Sequence, residues 1–375
     1  MKPHLPRTLL NSLLALMFAA APSLEAAYTA PSSITIPGNY SEVIVTDISD
    51  MGEESKAYRI TRDLIVDDSI YQPYGSYITS DSASSLSSLI FDGSRVDADY
   101  YTPTIFTNLN EVSFINNYTD DHSCVLEGQI YLTNNKLVSI SNNSDDWETA
   151  GEVSTVFGSW DDPGHILINN NRNVNLCNNT YTGGLIWTDG YSGRNPVKIR
   201  DNDNVTISGN FAPEMAPDPE ESEGNWGNSY YSNLGAINLM NGATFDLLNN
   251  KRVILEKNGR VYDGSWRLRS IYADEGGITL SAPKGGEICI RDSIYLEDCD
   301  EGLKLNKDYE TASGSTIKQT GDIIFSGAYT AAHLKELIGG VAATRREIIN
   351  SQTSEVEGIT TLYGGRMRVE DGAIF

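Results

Sequence analysis

The sequence holds little of what catalysis is usually built from. Four histidines (His4, His122, His165, His333) and four cysteines (Cys124, Cys177, Cys289, Cys299) are spread over 375 residues. No CxxC spacing occurs, which excludes zinc ribbons and thioredoxin-like redox pairs. Four thiols in so long a chain cannot make a disulfide scaffold. Two uses remain open for them: a local bridge, with Cys289 and Cys299 the closest pair, or inward-facing thiols that pack as small apolar groups. GxSxG, HExxH, Walker A and dinucleotide-binding fingerprints are all missing. Basic residues are scarce as well, 27 Lys and Arg against 51 Asp and Glu, for a formal net charge of −24. That excess repels nucleic acid and anionic lipid, so nucleic-acid partners are excluded. Helical periodicity is almost absent, and past the N-terminal segment no apolar run is long enough to span a bilayer as a helix.

The first 26 residues are the exception. "MKPHLPRTLLNSLLALMFAAAPSLEAA" begins with basic Lys2 and Arg7, continues through an apolar run from Leu9 to Ala21, and reaches small residues at Ala26 and Ala27. Charged start, short apolar run and small-residue end are the order of an export signal, so residues 1–26 are expected to be a signal peptide and the mature chain to be exported. The other reading of the same run is a buried N-terminal helix.

What is abundant is asparagine in a fixed setting. Residues 128–143 read "GQIYLTNNKLVSISNN" and residues 164–179 read "GHILINNNRNVNLCNN". Looser versions start at 102 ("TPTIFTNLNEVSFINN"), 195 ("NPVKIRDNDNVTISGN") and 243 ("ATFDLLNNKRVILEKN"), giving offsets of 26, 36, 31 and 48 residues. Apolar residues two apart make each half a short strand with one buried face, and Asn, Asp and Gly between the halves tolerate turn conformations. A third element is read in "GGLIW" at 183, "GAINL" at 235 and "GGITL" at 276, and further echoes of the first strand in "GEICIRD" at 286, "GDIIFSG" at 321 and "GRMRVEDG" at 365. Short constant strands with variable gaps predict an all-β chain folded as a right-handed parallel β-helix, with inward apolar stacks and hydrogen-bonded asparagine ladders at the bends. The rival is a β-sandwich, whose antiparallel hairpins would need turns such as "MNGA" at 240.

The expected organisation is a signal peptide over 1–26, an N-terminal cap and first coils over 27–100, and β-helix repeats over 101–375. Within the last, the acidic, Pro- and Gly-rich stretch 212–233 is expected to be an insertion and 330–350 a short helical segment, with Leu334, Leu337 and Ile338 at helical spacing.

Phe114-Ile115-Asn116-Asn117 resembles an FxxN motif, and "LGAI" at 234 and "GGLI" at 183 resemble a GGAI motif. On these, and on its final segment, the chain is similar to passenger regions of bacterial autotransporter outer-membrane proteins with polymorphic-membrane-protein-like repeats. The resemblance covers residues 100–375 and implies a non-catalytic β-helix displayed at the surface of a Gram-negative bacterium or released from it. It also implies an adhesive or structural role and a C-terminal outer-membrane β-barrel as partner, with a host-surface protein or glycan as target. No barrel strands follow in the sequence, so the chain is expected to be a passenger that stops inside a repeat. These motifs describe strand geometry, and no catalytic, cofactor-binding or metal-ligating residue is assigned from them.

The competing class is a secreted polysaccharide lyase or glycoside hydrolase on the same fold. Its carboxylates would come from "SWDDPG" at 159, "RDNDN" at 200 and "EDCDEG" at 297, with calcium at the bends as an option and Trp160, Trp187 and Trp226 as sugar platforms. His122 in "TDDHSC" lacks the second ligand cluster that a zinc site needs, and no positioned base is visible for Cys124.

Overall fold

A computed structural model describes residues 104–119, 124–145, 154–159, 165–190, 196–213, 234–262, 265–299, 302–305, 316–319 and 321–326, with shorter strand segments on either side. The signal segment, the helical segment 330–350, residues 214–233 of the insertion, His122, Trp160 and Trp226 lie outside the described residues.

Among the described residues the chain is all-β, and its long sheets are parallel. Three of them run side by side through the sequence. The first joins nine strands, including Thr104–Thr107, Gln129–Thr133, His165–Asn169, Pro196–Arg200, Thr244–Leu248 and Gly277–Ser281. The second also joins nine, including Glu111–Ile115, Leu137–Ser141, Asn173–Cys177, Asn204–Ser208, Arg252–Glu256 and Glu287–Ile290. The third includes Cys124–Glu127, Thr155–Ser159, Ile186–Asp189, Ile237–Met240, Ser265–Asp274, Ser293–Glu297 and Ile323–Ser326. Strands Tyr58–Ile60, Leu64–Asp67, Tyr77–Ser80 and Ser88–Asp92 head the first two sheets in the same parallel sense.

Pairing in register turns the sequence alternation into columns. Val112, Val138, Val174, Val205 and Val253 follow one another across the second sheet, with Phe114, Ile140, Leu176, Ile207 and Leu255 beside them. All ten are at most 1% exposed; of the residues between them Ser113 is buried too, while Ser139, Asn175, Thr206 and Ile254 are half-buried. Each such Val, Ile, Leu or Phe contributes roughly 1.5–3 kcal/mol by leaving water, and the column geometry brings like against like.

The Asn-Asn pairs make the corners. The first member takes a left-handed conformation: Asn134, Asn142, Asn170, Asn178 and Asn249 all have φ between 56° and 59°. Asn accepts this region more readily than other side-chain-bearing residues, so the chain turns there without needing glycine. The second member points inward and is buried. Asn135, Asn171, Asn202 and Asn250 form one ladder, in which each backbone N–H donates to the carboxamide oxygen of the next, at 2.8 Å from Asn135 to Asn171 and 3.0 Å from Asn202 to Asn250. Asn117, Asn143, Asn179, Asn210 and Asn258 form a second ladder, which ends on the buried carboxylate of Asp292. Each carboxamide NH2 also donates to the main-chain carbonyl at the apolar position of the preceding unit, as from Asn143 to Phe114 at 3.0 Å and from Asn179 to Ile140 at 3.0 Å. Aspartate cannot donate, which is why only the terminal member can be one. The apolar-x-x-Asn spacing is therefore a hydrogen-bonding rule: the inward apolar residue fixes the strand and the asparagine three later satisfies its turn.

Several expectations are corrected. "GGITL" is not a third element: Gly277–Ser281 pairs with Thr244–Leu248 and belongs to the first sheet. "GEICIRD" is not a first strand, because Glu287–Ile290 pairs with Arg252–Glu256 in the second sheet. Ile323–Ser326 and Met367–Val369 belong to the third sheet. A leading glycine marks corners generally and does not say which sheet follows. The hairpins expected of a sandwich are confined, among the described residues, to Gly259–Tyr262 with Ser265–Asp274 and Thr353–Val356 with Thr360–Tyr363. "MNGA" does turn tightly, with φ of 50° at Asn241 and 85° at Gly242, yet it joins strands of different sheets.

Candidate functional site

Of the three carboxylate stretches, the described acids come from two, and these lie at different places in the fold. Asp201 sits at a corner between the first and second sheets, where it pairs with Arg200 at 2.8 Å and accepts from Asn249. Asp203, two residues on, lies against Lys251. These are neutralised turn residues. Glu297 and Asp298 lie at the end of a third-sheet strand, and the rest of "SWDDPG" after Ser159 falls outside the described residues.

A different group of acids is assembled instead, and only pairing assembles it. Asp274 stands directly opposite Glu297 on the neighbouring parallel strand, and Glu275 and Asp298 follow them at the corner. Burial, and then the charges of Glu297, Glu275 and Asp298, push the Asp274 carboxyl up to about 6, against an opposing hydrogen bond from the backbone N–H of Asn241. The Tyr272 hydroxyl donates to Glu297 at 2.7 Å. An acid that holds its proton near neutrality, facing a second carboxyl group, is an arrangement capable of general acid chemistry. Sequence reasoning missed Asp274 because "YADEGG" reads as an ordinary acidic turn; its partner lies 23 residues away in sequence. Among the described residues, no group of three or more His, Cys, Asp or Glu is placed to hold a metal ion.

The cluster lies on an unusual surface. The register column Trp187, Asn238, Tyr272, Tyr295 and Ile324 runs across the outer face of the third sheet, yet none of these side chains exceeds 7% exposure. With Leu234 and Met240 the apolar members form a second core, separate from the main one. The Arg269 guanidinium sits 4.4 Å from the centre of the Tyr295 ring. Trp187 is therefore a packing residue here and not an open sugar platform.

The remaining candidates are structural. The four cysteines form no disulfide: Cys124 and Cys299 are buried, while Cys177 and Cys289 are half-buried on the second sheet. Burial raises the Cys299 thiol far above its ordinary range, which makes it inert as a nucleophile. His165 stacks on Tyr131 with ring centres 5.6 Å apart, and burial followed by the charge of Lys198 lowers its pKa. Compared with known proteins, the chain matches no family model, no curated sequence and no solved structure.

Proposed function

We propose that the chain is a non-catalytic passenger of an autotransporter-type outer-membrane protein, folded as a right-handed parallel β-helix and displayed at the cell surface. The observation that carries this reading is the recurrence of one unit in register, with apolar columns and two asparagine ladders. Such a stack behaves as a stiff stalk, since every unit is hydrogen-bonded to the next through both main chain and side chain. Its work is geometric: it holds loops away from the membrane, where they make adhesive contacts, while a C-terminal β-barrel anchors it. The test is protease shaving of intact cells that express the complete gene. Digestion of this region without lysis supports display, whereas digestion only after the outer membrane is opened overturns it.

The pairing of Asp274 with Glu297 favours a second reading, a secreted carbohydrate-active enzyme. It requires that the purified chain cleave a polysaccharide and that Asp274→Asn abolish the cleavage. Turnover lost in that variant would replace the first reading.

A further inference from the structure

The short sheet beside the three long ones carries a continuous outward column. Register runs from Arg95 to Tyr118 and Ser144, on through bridges to Thr180 and Phe211, then to Gly259 and finally to Leu268 of the antiparallel strand. Tyr118 is 46% exposed, Leu268 53% and Trp266, two residues before Leu268 on the same strand face, 64%. Gly259 contributes no side chain between Phe211 and Leu268, and the Trp266 indole stacks on Phe211 with ring centres 4.7 Å apart and planes 28° from parallel. The opposite column, Thr119, Asp145, Tyr181, Ala212 and Arg260, is buried. Exposed rings on either side of the short hydroxyls of Ser144 and Thr180 are not needed by the core.

We propose that the Tyr118–Ser144–Thr180–Phe211–Trp266 strip binds an extended, uncharged polysaccharide. Aromatic faces stack on the CH faces of sugar rings, and Ser144 and Thr180 offer hydroxyls that donate and accept, as sugar hydroxyls require. Steps between neighbouring parallel strands are ~4.8 Å, close to the length of one pyranose unit, so Tyr118 and Phe211, three steps apart, span about three sugars. Charge selects against other occupants. From Ser144 to Leu268 the column holds no ionisable side chain, Arg95 pairs with Tyr118 at the other end, and the chain as a whole carries −24, so it repels polyanions and offers a cationic partner no carboxylate on the strip. Size selects against a second copy: a strip one side chain wide offers a few hundred Å2, well below the ~800 Å2 per partner of a stable protein interface. The inference deepens the adhesive reading by naming a ligand class, but it is tested on the purified chain and stands whether or not the chain is displayed.

The experiment is native electrophoresis of the full chain through gels containing dextran, mannan, galactan or xyloglucan, with heparin and alginate as polyanion arms. At least one neutral polymer is expected to retard the chain. Trp266→Ala should weaken that association roughly tenfold and Tyr118→Ala by a smaller factor, while Trp266→Phe, which keeps a ring over Phe211, should retain most of it. Unchanged melting temperatures, expected for side chains this exposed, show that the variants fold. Retardation by no neutral polymer, retardation by polyanions alone, or indifference to both alanine variants would overturn the proposal. So would a self-association in gel filtration that Trp266→Ala removes, since the strip would then serve a second copy.

Discussion

The second and third sheets are built from strands of similar length in the same parallel sense, yet they treat their outer faces in opposite ways. Outward positions of the second sheet carry Ser139, Asn175 and Thr206 in one column, all half-buried. The equivalent column of the third carries Trp187, Asn238, Tyr272 and Tyr295, all buried. A sheet covered on one face reads as alternation, and one covered on both reads as a continuous apolar run. "NVNLC" and "INLM" are that contrast in miniature: alternate residues are buried in the first and all four in the second. The same positional slot is thus a solvated rib in one sheet and part of a second core in the other.

Substitutions at matched outward positions should break the contrast most visibly. Trp187→Ala is expected to cost about 3–5 kcal/mol, measured as a shifted denaturant midpoint at constant slope, whereas Ser139→Ala stays within about 0.5 kcal/mol. Equal effects would mean that the outer face of the third sheet does not hold a packed core.

Within the second sheet and its corner, two asparagines four residues apart sharpen the same point. Asn179→Ala removes an inward carboxamide that accepts from the backbone and side chain of Asn143 and donates to Ile140 and Asn210. A loss of about 3 kcal/mol is expected, because buried donors are left without acceptors. Asn175→Ala, on the half-buried outer face, should be nearly silent in the same urea titration.

The third sheet also carries a pH-dependent liability. The folded-state pKa of Asp274 is raised to about 6 from an ordinary 3.8, so the native state holds its proton more tightly than the unfolded chain. Its destabilising contribution is absent below about pH 4, grows as pH rises through the window from 4 to 6, and is complete above it. Asp274→Asn should therefore raise stability at pH 7, by on the order of 1 kcal/mol after allowance for solvent screening of a half-buried group, and leave it unchanged at pH 4. A melting-temperature difference that did not depend on pH would refute this assignment.

The smallest effect is expected at a corner. Lys257 occupies the left-handed position, φ 58°, that Asn178 fills two units earlier. Lys257→Asn should stabilise by about 0.5 kcal/mol in equilibrium unfolding, because Asn tolerates that region better.

The sequence alone determined the strand pairs of the first two sheets and their corners. From Thr104 to Glu256 the strands of these sheets are joined by the same three-residue corner, as in Asn134-Asn135-Lys136 and Asn170-Asn171-Arg172, so period-two apolar spacing and Asn-Asn recur at fixed positions. The pattern weakens where the corner lengthens to Ala282–Gly286, and there the reading misplaced both flanking strands. Tertiary structure decided what no fixed spacing encodes: the membership of the third sheet, reached through segments of variable length, and its double burial. Only lateral pairing set Asp274 against Glu297 and aligned Tyr118 with Thr180, Phe211 and Leu268. The physical reason is that alternation and turn chemistry act over a few residues, whereas a neighbour across a parallel ladder lies wherever the intervening loop allows.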